Sequence, residues 1–170
     1  MLMNLKENEY VSYQLNYIKL VEEENIVKGL IEQKEKMILF FNSIPVIKQT
    51  YLYEKNKWSI KDILLHLIDA ERIFTYRALR IVRNDSTSLS GFDENEYVIS
   101  ANAQVREFDS LLNEYVAVRN ATISLFTNFS ETDLLKTGIA SNASVSVRGI
   151  GYCILGHELH HKKIIQERYL

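Results

Sequence analysis

Residues that break or cross-link a chain are scarce here: 170 residues contain one proline, six glycines and one cysteine. So few breakers permit long uninterrupted helices, whereas an all-β fold needs more turn residues than this sequence offers. A lone cysteine, Cys153, excludes an intrachain disulfide framework. Charge of one sign is also missing, since 20 Lys and Arg stand against 22 Asp and Glu for a formal net charge of -2. Basic and acidic residues are interleaved, as in the solvated runs Glu22 to Glu24 and Lys34 to Lys36, so the phosphate-binding surface of a nucleic-acid protein is not expected. No apolar run approaches the roughly 18 residues of a bilayer span, so no membrane segment is expected. The first residues lack the basic, apolar and small-residue order of a secretion signal, which points to the cytoplasm.

Hydrophobic residues make up 46% of the chain and charged residues 25%, the balance of a folded domain. With no repeat, low-complexity tract or linker, we expect one domain over residues 1–170. Four long helical segments follow a tyrosine-rich opening (Tyr10, Tyr13, Tyr17). The first runs from about Asn25 to Asn42, with Ile26, Leu30, Met37, Phe40 and Phe41 near one face, and Pro45 ends it. The second opens at Ser59, whose pairing with Asp62 has the form of a capping box, and runs to about Arg83. Asn84 to Gly91 reads as a loop. The third helix carries Phe108, Leu111, Leu112, Tyr115, Val118, Leu125 and Phe129 at helical spacing. Ser130 to Ser144 reads as a connection, and a fourth helix begins near Ser144 or Ser146 and continues almost to the C-terminus. The fold class expected is all-α, a four-helix bundle.

The chemistry lies in the histidines. His157 and His161 are four residues apart, so their side chains lie about 40° apart on a helix, in the sector of Ile150, Ile154 and Ile164. One inward imidazole is usually a hydrogen-bonded core residue. Two on one inward row are better used together, as ligands of a metal ion. A third ligand is needed, and His66 sits at the edge of the second helix's apolar face (Ile60, Ile63, Leu64, Leu67, Phe74). His160 competes for the role by its spacing from His157, and otherwise reads as a surface or outer histidine.

Around these stand weaker candidates. His157-Glu158-Leu159-His160-His161 satisfies H-E-x-x-H, the zinc-protease signature in which the Glu is the general base. The downstream Gly and third His of a metzincin are missing, so the protease reading is set aside. Glu158 remains a candidate catalytic base, with an ordinary exposed helix Glu as the alternative. Asp69 could orient a ligand imidazole or form a surface ion pair. Arg77, near the His66 row, could hold an anionic substrate group. Cys153 reads as a buried small residue rather than a fourth ligand. Trp58 reads as a packing anchor.

The segments Trp58-Ser59-Ile60-Lys61-Asp62, His66-Leu67-Ile68-Asp69-Ala70-Glu71-Arg72 and Gly156-His157-Glu158-Leu159-His160-His161, running on to Glu167-Arg168-Tyr169, resemble the DinB-like superfamily. This family includes YfiT-type metal-dependent hydrolases and bacillithiol- or mycothiol-dependent transferases. Weaker similarity appears at Gly91-Phe92-Asp93-Glu94-Asn95. The resemblance implies a four-helix bundle in which His66, His157 and His161 hold one divalent metal, with water completing its coordination. Three imidazoles suit zinc or nickel, with iron and copper as alternatives. It also suggests a small-molecule substrate, a homodimer, and either thiol-dependent S-transfer with a low-molecular-weight thiol as cosubstrate or hydrolysis by metal-activated water. A non-enzymatic metal-binding stress protein is the third reading.

Overall fold

The computed structural model describes residues 5–170, and four helices dominate it: α1 (Ile26–Asn42), α2 (Ile60–Val82), α3 (Phe108–Thr127) and α4 (Val147–Arg168). Each starts where its local chemistry dictates. The Asn25 side chain accepts from the Lys28 N–H at the head of α1. At the head of α2 the Ser59 hydroxyl accepts from the Asp62 N–H, and the Asp62 carboxylate accepts from the Ser59 N–H, which completes the capping box. Ser146 caps α4 through Gly149. These bonds satisfy backbone donors that the first turn of a helix otherwise leaves open.

Both α1 and α2 pack against both α3 and α4. Helices consecutive in sequence, α1 with α2 and α3 with α4, therefore face each other across the bundle. The links between them must cross an end of the bundle, and they carry structure of their own. Residues 43–59, between α1 and α2, include the short helix Val46–Gln49, and the link between the adjacent α2 and α3 carries the helix Glu94–Ala101. Residues 128–146 include a short helix, Glu131–Leu134, and an antiparallel hairpin, β1 (Thr137–Ala140) and β2 (Ala143–Ser146). Where the sequence suggests a plain connection there is thus a small sheet, which Leu89 extends by a bridge to Ala140. Its two-residue turn, Ser141-Asn142, has φ of 51° and 61°. Positive φ at both positions is the type I′ geometry that tight hairpins require. A serine there gives no sequence signal comparable to Asn-Gly, which is why the hairpin is hard to foresee.

The interior divides into two apolar clusters. One contains Leu30, Phe74, Phe126 and Leu155, the other Met37, Ile68, Tyr115 and Ile165. Between them each helix contributes a buried polar residue: Gln33 from α1, Glu71 from α2, Arg119 from α3 and Glu158 from α4. The buried face of α3 is Phe108, Leu111, Leu112, Tyr115, Arg119, Thr122 and Phe126. This corrects the expected stripe, because Val118 and Leu125 lie only at its edges, Phe129 falls beyond the end of the helix and Arg119 occupies its centre. Arg119 is tolerated there because Glu71 and Glu158 neutralise it.

The N-terminal segment lies along α4, and two glycines make the approach. A Cβ on Gly149 would stand 2.0 Å from the Glu9 carbonyl oxygen, and one on Gly156 would stand 2.2 Å from that of Tyr17. Seven residues apart, they share one face of α4. Arg148 closes the upper contact with an ion pair to Glu9 at 2.6 Å. No helix of the described residues is long and apolar enough to cross a membrane.

Candidate metal centre

His66 is on the second turn of α2, and His157 and His161 are on successive turns of α4, the helix packed beside it. The Nε2 atom of His157 lies 3.0 Å from Nε2 of His66 and 3.1 Å from Nε2 of His161. One ligand atom from each of the three lies within 4.8 Å of the others. The spacing expected from sequence is thus realised, and the three imidazoles converge.

Electrostatics fixes their protonation. Burial holds His66 down to about 4. His157 and His161 are pushed well below the ordinary imidazole range, first by burial and then by the neighbouring rings. All three are therefore neutral at pH 7, each with one nitrogen lone pair. A neutral imidazole is the form that binds a metal. Two nitrogens on a zinc ion at tetrahedral geometry are about 3.3 Å apart, close to the separations found here. The donor set and its spacing fit a small divalent cation.

Aromatic rings hold the imidazoles in place. Trp58 stacks on His161 with ring centroids 6.3 Å apart and planes 17° apart, and its ring lies 4.8 Å from that of His66. Tyr17 lies against His157 at 5.3 Å and against His160 at 4.9 Å. The Nδ1 atom of His161 is buried without a hydrogen-bond partner among the described residues, so stacking on Trp58 stands in for the polar contact that usually orients a ligand ring. Trp58 is more than a packing anchor, because it forms part of the wall over the cluster. That wall bounds a cavity of about 430 Å³ onto which His66, His157 and His161 open, with Tyr13, Tyr17, Phe74, Phe92 and Ser141 among its other lining residues.

The remaining candidates separate cleanly. His160 is half-buried beside Tyr17 and lies outside the three-nitrogen cluster. Glu158 is not an exposed helix Glu: it is 1% exposed, bonded to Arg119 Nη2 at 2.9 Å and to the Gln33 amide. One residue past His157 is a turn of about 100°, which carries the carboxylate into the polar layer and away from the cavity wall. Asp69 pairs with Arg72 at 3.4 Å and accepts no hydrogen bond from the three imidazoles among the described residues. Arg77 is buried, and its Nη2 donates to the Ser90 carbonyl at 2.7 Å and to Ser141 Oγ at 3.1 Å. Cys153 is fully buried, its thiol pushed up to about 12 by burial, and it is not part of the cluster.

Sequence reasoning misses the Arg119 network. Arg119 Nε donates to Glu71 Oε1 at 2.8 Å and Nη2 to Glu71 Oε2 at 2.9 Å, a two-pronged pair, while Glu158 takes the other side. The signal is present, since Arg119 falls on the 112, 115, 119, 122, 126 stripe of a buried face. A charged residue on such a stripe asks for a buried partner.

These features define a class: a four-helix bundle with crossed connections and a buried three-histidine cluster opening on a cavity. The chain belongs to the DinB superfamily, whose sequence model matches residues 30–165. Its fold is similar to that of YfiT from Bacillus subtilis, described as a probable metal-dependent hydrolase with an unusual four-helix bundle topology. That match has a TM-score of 0.72 and 11% sequence identity, and it covers 96% of this chain and 90% of YfiT. No curated protein sequence matches the chain significantly.

Proposed function

We propose that the protein is a divalent-metal-dependent enzyme that activates a small nucleophile, a low-molecular-weight thiol, for transfer to an electrophilic substrate. The observation that carries this reading is the convergence of three neutral imidazole nitrogens on the wall of a cavity. A divalent ion held by His66, His157 and His161 would supply an open coordination position at which a thiol is favoured as its nucleophilic thiolate. The chain's own part is to keep the imidazoles unprotonated by burial, to fix them by Trp58 and Tyr17, and to line the reaction space with aromatic rings.

Hydrolysis is the second reading, favoured by the likeness to YfiT. Water activation profits from a nearby carboxylate that takes a proton, and Glu158 is the sequence's candidate. Its carboxylate is engaged by Arg119 and Gln33, which favours thiol transfer, where the proton can leave to solvent before attack.

The test is to load the protein separately with zinc and nickel and assay chlorodinitrobenzene with a panel of thiols, alongside ester and amide substrates. Metal-dependent consumption that needs a thiol is expected. Consumption without thiol would replace transfer by hydrolysis. Absence of turnover together with tight metal binding would make the ion structural.

A further inference from the structure

Five charged residues are buried among the described residues: Glu9, Glu71, Arg77, Arg119 and Glu158. Four of them are matched, Glu9 by Arg148 and the two other carboxylates by Arg119. Arg77 is the exception. It is 4% exposed, and its partners are the neutral Ser90 carbonyl and Ser141 hydroxyl, both reached through Nη2. Its Nε and Nη1 have no acceptor among the described residues, and neither is among the fully sealed polar atoms. A guanidinium that is largely desolvated and has only neutral partners is costly, and an anion that reaches its open nitrogens lowers that cost.

The position of Arg77 says where such an anion would lie. Eleven residues after His66 on α2, it falls within about 20° of the same row and about 16 Å farther along the axis. Side chains on a helix generally lean toward its N-terminus, which for Arg77 is the direction of His66, and its guanidinium meets the cavity lining through Ser141. His66 and Ala70 near that row, and Phe74 to one side of it, line the cavity, and so does Ser141, the residue Arg77 grips. Ser141 is held at φ 51° in the hairpin turn, a conformation that a serine seldom adopts. That turn brings its hydroxyl both to the cavity and to the guanidinium. Glu94, the acidic residue of the cavity lining, is exposed, where solvent weakens its repulsion of an anion.

We infer that Arg77 and Ser141 form the anion-binding end of this cavity, and that the substrate or cosubstrate is an elongated small molecule carrying a carboxylate remote from its reacting group. Placing the reacting group at the three imidazoles rests on the function proposed above. The anion end does not need a metal, so it is tested on metal-free protein.

Trp58 is the only tryptophan and lines the same cavity, so its emission reports ligand entry. Octanoate, used as the probe, is expected to shift that emission saturably, with calorimetry giving the same affinity, and octan-1-ol is expected to bind at least about tenfold more weakly. Arg77→Met, close in shape and uncharged, is expected to lose at least about tenfold in octanoate affinity, while Arg77→Lys keeps part of it. Thermal melting separates lost binding from lost folding, and Ser141→Ala gives a milder, independent loss through the hydroxyl. Equal binding of acid and alcohol, no octanoate binding by the folded wild type, or full affinity in a folded Arg77→Met protein each overturn the inference. Zinc titration of the same proteins keeps the two proposals apart: failure of the wild type to bind zinc would remove the metal centre and leave the octanoate result standing.

Discussion

At the scale of single residues, Arg119 decides how the interior is held together. It is 1% exposed and ties α3 to α2 through Glu71 and to α4 through Glu158. Burying three charges gains little over an apolar layer, because desolvation offsets most of the attraction. Removing the central one is different, since two carboxylates are then left in an apolar interior with no cation. Arg119→Met is therefore expected to destabilise the fold by about 3–5 kcal/mol, measured by urea denaturation at pH 7. The triple change Arg119→Met, Glu71→Gln, Glu158→Gln should recover much of the loss, because no uncompensated charge remains. The same residue shows where sequence reasoning stops. The pair His157 and His161 is legible because two inward imidazoles at i and i+4 are costly to bury unless one ligand engages both. Arg119 is not, because its reason to be inside lies on two other helices whose packing no local pattern announces. The burial of Glu158 is hidden in the same way: its neighbour His157 faces the cavity, yet Arg119 draws the next side chain into the polar layer.

At the scale of elements, α4 carries more than its helical pattern suggests. Its start and apolar row can be read locally, and so can the limits of α1 and α2. The hairpin and the seat of the N-terminal segment cannot, because each depends on a surface offered by another element. Gly156 is the clearest case. In a helix interior Gly→Ala usually stabilises by about 1 kcal/mol. Here the added methyl would meet the Tyr17 carbonyl oxygen at 2.2 Å, a backbone atom that no rotamer change can move aside. The clash wins, and Gly156→Ala is expected to cost about 1–3 kcal/mol in net stability. It should also push Tyr17 off His157, visible as increased proteolysis in the N-terminal segment while the far-ultraviolet helix signal is retained.

The upper seat of the same segment gives a pH dependence with a definite sign. The Arg148 guanidinium bonded to Glu9 holds its carboxyl down from 4.5 to about 2. A carboxylate with a lowered folded-state pKa favours the folded state in its ionised form, so this contribution is complete above pH 4.5 and fades as the pH falls toward about 2. Wild type should thus exceed Glu9→Gln in stability at pH 6, and the gap should close between pH 4.5 and pH 2. Other carboxylates titrate in both proteins, and taking the difference removes them. A gap that stays constant over that range would mean that the ion pair adds nothing.

At the scale of the whole molecule, the two apolar clusters, the polar layer and the histidine cluster form one arrangement. α2 and α4 supply all three imidazoles, and the Arg119 layer joins those helices through α3. An ion bound by His66, His157 and His161 would therefore cross-link two helices that consecutive chain does not join, and it should act as a clamp on the entire bundle. Binding only to the folded form stabilises it by about 2.7 kcal/mol when free metal is 100 times its dissociation constant. For a domain of this size that corresponds to a rise in melting temperature of about 5–10 °C. Addition of zinc to chelator-treated protein is expected to give such a rise, and the chelator should reverse it. His66→Ala takes one of the three ligands and breaks the link between α2 and α4, so its melting temperature should respond little to zinc, with affinity down by more than about 100-fold in calorimetry. A variant that keeps the full zinc-induced rise would place the ion somewhere other than between these two helices.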